Sequence, residues 1–139
     1  MSDESMKVLL VKPGEYAREA EIGSSLEDMQ QAVGGWIEEY MPFEDDVAII
    51  CNDEGKMRGM PLNRGICSED GTLMDIIAGP FFIAYAPVES ERFLSMPKEL
   101  EEKYTEKFKQ PEQFFRTPEG IKAVKYEPET QPSRVSEAR

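Results

Sequence analysis

Apolar residues in this chain come in short runs bounded by glycine, proline and acidic turns, a spacing that suits small strands better than long helices. Lys7-Val8-Leu9-Leu10-Val11 is stopped by Pro13-Gly14 and predicts a buried strand, with Arg18 to Ile22 returning beside it as a hairpin. Ser24 with Glu27 three residues later has capping-box spacing, in which each residue satisfies a free amide at a helix start. Leu26, Met29 and Val33 then fall on one face, and Gly34-Gly35 ends that short helix.

Strands are next expected over Trp36 to Tyr40 and over Val47 to Cys51. Cys51-Asn52-Asp53-Glu54-Gly55 is echoed by Cys67-Ser68-Glu69-Asp70-Gly71. Both read as tight turns: the first would reverse the chain into Lys56-Met57-Arg58, with Gly55 in the left-handed position, and the second leads to Leu73. Ile76 to Ala78 and Phe81 to Tyr85 form the densest apolar patch, interrupted at Gly79-Pro80 because proline cannot donate to a central strand. Leu100, Tyr104 and Phe108 recur every four residues and predict an amphipathic helix opened near Ser95 and Pro97 and closed by Pro111. The pattern is that of an α+β domain over residues 7–115. Its sheet is small and mostly antiparallel, with a short helix after the first hairpin and a C-terminal amphipathic helix. Residues 1–6 read as a flexible lead-in and 116–139 as a largely disordered tail, since apolar content thins there. Ile49, Ile50, Ile77, Phe82 and Ile83 are the expected core. Trp36 is expected beside them, in preference to forming a contact patch with Tyr40 and Phe43.

Charge then narrows the function classes. The chain of 139 residues carries 28 acidic and 16 basic side chains, a net charge of −12, which opposes direct nucleic-acid binding. A partner with a basic protein surface is the better expectation. Residues 1–60 hold 14 acidic and 5 basic residues, a balance of −9, and Glu44, Asp45 and Asp46 form the densest cluster, the candidate partner-binding site. Such an excess also raises mimicry of nucleic acid, although local turn and helix-start chemistry explains many of the acids.

The chain contains no histidine, which removes the commonest general base and metal ligand along with Ser-His-Asp and Cys-His catalysis. No nucleophile–base pair is visible and no catalytic residue is assigned. The acidic turns lack the ligand spacing of a calcium loop, and two cysteines without histidine rarely suffice for zinc, so neither metal nor cofactor is expected. No apolar run reaches the ~18–20 residues of a membrane span, and the acidic N-terminus does not resemble a secretory signal. A cytoplasmic protein with reduced Cys51 and Cys67 is expected. Asn63-Arg64, with Asn52 nearby in sequence, is the candidate ligand-binding group, because a guanidinium fork recognises anions. The plainer reading makes Arg64 the partner of a neighbouring carboxylate.

Five segments in order resemble one family: Lys7 to Val11 with Pro13, Val33 to Glu38, Ala48 to Lys56, Pro61 to Arg64, and Asp75 to Ile83. They are similar to the domain of unknown function 3846, over roughly Lys7 to Phe108. That resemblance implies a phage, plasmid or conjugative-element context, often beside genes for DNA transfer or anti-restriction, and implies no activity. The expectation is a non-enzymatic accessory protein that works by protein–protein binding, with counter-defence as one form. The alternative is a small-ligand or nucleotide-binding domain using Asn63-Arg64.

Overall fold

A computed structural model describes residues 5–128. Its centre is a five-stranded, wholly antiparallel sheet. In chain order its strands are β1 (Ser5–Val11), β2 (Arg18–Gly23), β3 (Ile37–Tyr40), β4 (Val47–Asn52) and β7 (Phe81–Tyr85), arranged β2-β1-β7-β4-β3. The segment between β4 and β7 forms a separate two-stranded ribbon, β5 (Leu62–Cys67) with β6 (Leu73–Ala78). Helix α1 (Leu26–Val33) follows β2, and helix α2 (Lys98–Phe108) follows β7. The α+β class with a mostly antiparallel sheet is the one read from the sequence.

The two-residue period of the strands divides the core. Leu9, Val11, Val47, Ile49, Cys51, Phe81 and Ile83 point to one face, where Ile66 and Ile77 of the ribbon and Tyr104 and Phe108 of α2 cover them. Val8, Leu10, Ala48, Ile50, Phe82 and Ala84 point to the other, under Met29 and Val33 of α1. Burial on both faces is why β4 and β7 read as continuous apolar runs without alternation. The expected core residues Ile49, Ile50, Ile77, Phe82 and Ile83 are all buried.

Several local expectations need correction. Ser25, one residue later than expected, caps α1: its Oγ accepts from the Asp28 amide at 3.1 Å and donates to the Asp28 carboxylate at 2.8 Å. Gly34 ends the helix at φ 84°, as its lack of a Cβ permits. The second acidic turn does join two strands, β5 and β6, with Gly71 at φ 88°. The first does not. After Asn52 the chain makes successive turns to Gly59 and re-enters a strand at Leu62. Gly55 has no left-handed φ. Glycine is needed there because a Cβ would meet the Ala78 carbonyl oxygen at 2.5 Å. Replacing Gly55 by alanine is expected to push this loop off β6 and cost about 1–3 kcal/mol, measurable by denaturant melts.

The ends also differ from expectation. Ser5 and Met6 belong to β1, and Met6 is buried. Residues 112–125, expected to pass from domain edge into disordered tail, form a regular hairpin of β8 (Glu112–Thr117) and β9 (Gly120–Lys125). Their alternating side chains and the Pro118-Glu119-Gly120 turn supply the hairpin pattern that low overall apolarity concealed. The remainder of the expected lead-in and tail, residues 1–4 and 129–139, lies outside the described residues.

Candidate functional site

Arg64 lies on β5 and is fully buried. Its Nε donates to the Phe108 carbonyl at 3.0 Å, Nη1 to the Asn63 side-chain oxygen at 2.9 Å, and Nη2 to the carbonyls of Glu15 at 2.7 Å and Lys109 at 3.5 Å. Phe108 and Lys109 are the C-terminal end of α2, where carbonyls lack helical partners and the dipole favours a cation. Burial holds the guanidinium below its usual pKa, while Glu112 works in the opposite direction. Glu112 is not bonded to it; its Oε1 accepts from the Gly65 amide at 2.7 Å. Asn63 donates to the carbonyls of Val11 at 3.0 Å and Gly79 at 2.8 Å. The pair therefore knits β1, α2 and the ribbon together, and backbone carbonyls replace the expected carboxylate partner.

Asn52 stands apart from that pair. Its amide donates to the Val33 carbonyl at 3.2 Å, and its oxygen accepts from the Glu54 amide at 2.7 Å. It joins the end of α1 to the first acidic turn. The three candidate ligand residues are thus buried and engaged with the backbone.

The Glu44-Asp45-Asp46 cluster divides. Glu44 is exposed, whereas Asp45 turns inward to Lys103 Nζ at 2.6 Å and Tyr104 Oη at 2.8 Å. Those bonds hold the Asp45 carboxyl below the usual range. The Asp46 carbonyl accepts from the Ala86 amide at 2.7 Å. Phe43 meets Tyr104 at a tilt and Phe108 edge to face, with centroids 5.2 and 6.1 Å apart, so this loop straps α2 to the sheet.

Trp36 corrects the core expectation: it is 68% exposed. It sits just before edge strand β3, and its carbonyl accepts from the Asp53 amide at 2.8 Å. Asp53, Glu54, Met57 and Arg58 are exposed on the adjoining turn, Met57 to 86%, and Glu38 is exposed on β3. A small cleft between this edge and β6 is lined by Glu38, Asp53, Glu54, Lys56, Met57 and Asp75, with Cys51 at its floor. Lys56 pairs with Asp75 at 2.9 Å. An acidic margin with two apolar anchors results. Sequence reading missed it because it assigned the lone tryptophan to packing; the signal available was its place directly after the helix-ending Gly34-Gly35 and ahead of the short, partly charged run Ile37-Glu38-Glu39-Tyr40.

Cys51 is a poor nucleophile in this setting. Burial first, then Glu38 and Asp75, push its thiol up to about 12. In the unfolded chain it would ionise near its ordinary pKa of ~8.5. Cys51 therefore favours unfolding as pH rises from there toward about 12. Chemical melts at neutral and alkaline pH should show that loss, and Cys51→Ala should flatten it. Cys51 and Cys67 are both free thiols. Among the described residues no three His, Cys, Asp or Glu side chains converge as a metal site, and no helix is long and apolar enough to cross a membrane.

No curated protein and no solved structure matches this chain. The family model described as "Domain of unknown function (DUF3846)" matches residues 6–109, which includes the five-stranded sheet, the ribbon and both helices and stops short of the β8–β9 hairpin. The chain belongs to that domain family.

Proposed function

We propose that this chain is a non-enzymatic accessory protein of a phage or mobile element, acting by binding a basic surface of another protein. The observation that carries the reading is the exposed Trp36, whose carbonyl holds the Asp53 amide at the end of an edge whose cleft is lined by the carboxylates of Glu38, Asp53 and Glu54. Tryptophan is a frequent centre of binding energy, and surrounding acids select partners by charge and speed their encounter. The mobile-element context comes from the family resemblance. A net charge of −12 favours the counter-defence form, in which the acidic edge occupies an enzyme that handles nucleic acid.

Trp36→Ala should shift stability by no more than about 0.5 kcal/mol, the usual range for surface changes. In affinity capture from host lysate, partners held by the unaltered protein should be lost with Trp36→Ala and with Glu38→Lys/Asp53→Lys. They should also be released as salt screens the charges. Capture that is equal for all three proteins and indifferent to salt would remove this edge as the binding surface.

A further inference from the structure

The β8–β9 hairpin differs in charge from the body that carries it. Its residues 112–125 hold three basic side chains, Arg116, Lys122 and Lys125, against two acidic ones, Glu112 and Glu119, a balance of +1, while the whole chain carries −12. The register pairs Gln113 with Val124 and Phe115 with Lys122, placing all four on one face. On the opposite face Glu112, Phe114 and Ala123 are half-buried, and Glu112 holds the Gly65 amide of β5. The first face is exposed: Phe115 is 49% and Val124 is 44% accessible. A hairpin this short is marginal without further packing, yet it turns two large apolar residues and a lysine to solvent.

We infer that this outer face docks on the Trp36 edge of a second copy of the chain. Each surface sets two apolar anchors within charge, Phe115 and Val124 beside Lys122 on one, Trp36 and Met57 beside Glu38, Asp53, Glu54 and Arg58, a balance of −2, on the other. The charges are opposite, so the chain carries both halves of a complementary contact. In a twofold dimer each hairpin meets the partner's edge and the contact is made twice. A nucleic-acid strand suits this face less well, because Lys122 is its one cation and non-specific affinity needs many neutralised phosphates. The inference shares the Trp36 edge with the proposed function but has a separate readout: it is measured on the purified protein by mass.

Light scattering across a concentration series should show the mass rising from 15.8 kDa toward twice that value at about 0.15 M salt, where a Debye length of ~8 Å screens the long-range repulsion of two acidic bodies but leaves contacting charges their attraction. At about 1 M salt, with a Debye length of ~3 Å, it should return to the monomer. A hairpin variant, Phe115→Ser/Lys122→Glu, and an edge variant, Trp36→Ser/Glu38→Lys, should each weaken association at least about tenfold. Mixing the two should restore a dimer, since an intact hairpin then meets an intact edge, and that recovery also shows both variants to be folded. A protein that stays monomeric throughout overturns the inference, as does association that survives both variants. So does a monomer whose hairpin variant loses binding to a labelled single-stranded oligonucleotide, which would assign the hairpin to polyanions. Failure here with Trp36-dependent lysate capture intact leaves the proposed function standing.

Discussion

Replacing Arg64 by alanine is expected to destabilise the fold by about 3 kcal/mol or more, without any ligand being involved. The substitution leaves the carbonyls of Phe108 and Glu15 and the Asn63 oxygen without the donors that now reach them. Each buried acceptor so orphaned costs about 1–3 kcal/mol, with water entering the vacated space offsetting part of the sum. Arg64→Lys keeps the charge but loses the planar fork that spans α2, Glu15 and Asn63 at once, so it should recover only part of the loss. Denaturant melts of the two variants make the test. An Arg64→Ala protein as stable as the parent would deny the residue its role as a strut and reopen the ligand reading.

Phe82→Ala should have a comparable or larger effect, about 3–5 kcal/mol. Phe82 lies on β7, paired with Leu10 on one side and Ile50 on the other, and is fully buried beneath α1. Neighbours fixed in a sheet collapse poorly into the space left by a ring, so the cavity term is added to the lost transfer energy. In a small domain with a total stability of about 5–15 kcal/mol the change should be visible as a large drop in the denaturation midpoint. A melting curve indistinguishable from the parent's would place Phe82 outside the core.

Strand and helix positions were legible in the chain because they depend on near neighbours. Val47 to Asn52 and Phe81 to Tyr85 announce buried strands by composition, and Leu100, Tyr104 and Phe108 mark one face of α2 by spacing. Family membership was legible for the same reason, from five local segments kept in order. Failures began where a residue's meaning depends on distant chain. Gly55 looks like a turn glycine until Ala78 is laid against it. Arg64 looks like a ligand group or half of an ion pair until the end of α2, 44 residues away, brings its carbonyls to the guanidinium. Asp45 looks like free surface charge until Lys103 and Tyr104 claim it.

Trp36 and the hairpin show the same division from the outside. A tryptophan's bulk argues for burial, but at the outer edge of β4 the sheet ends at β3, and among the described residues no element lies beyond to cover it. Residues 112–125 carry too little apolar surface to predict an ordered element by themselves; β5 supplies the support through Gly65 and Glu112. Local periodicity and turn chemistry thus determine which segments are strands and helices, since those are short-range preferences of the backbone. Which polar side chains are buried as struts, and which apolar ones remain in solvent, is decided by how the strands and helices are arranged in space, because burial is a property of the packed layers.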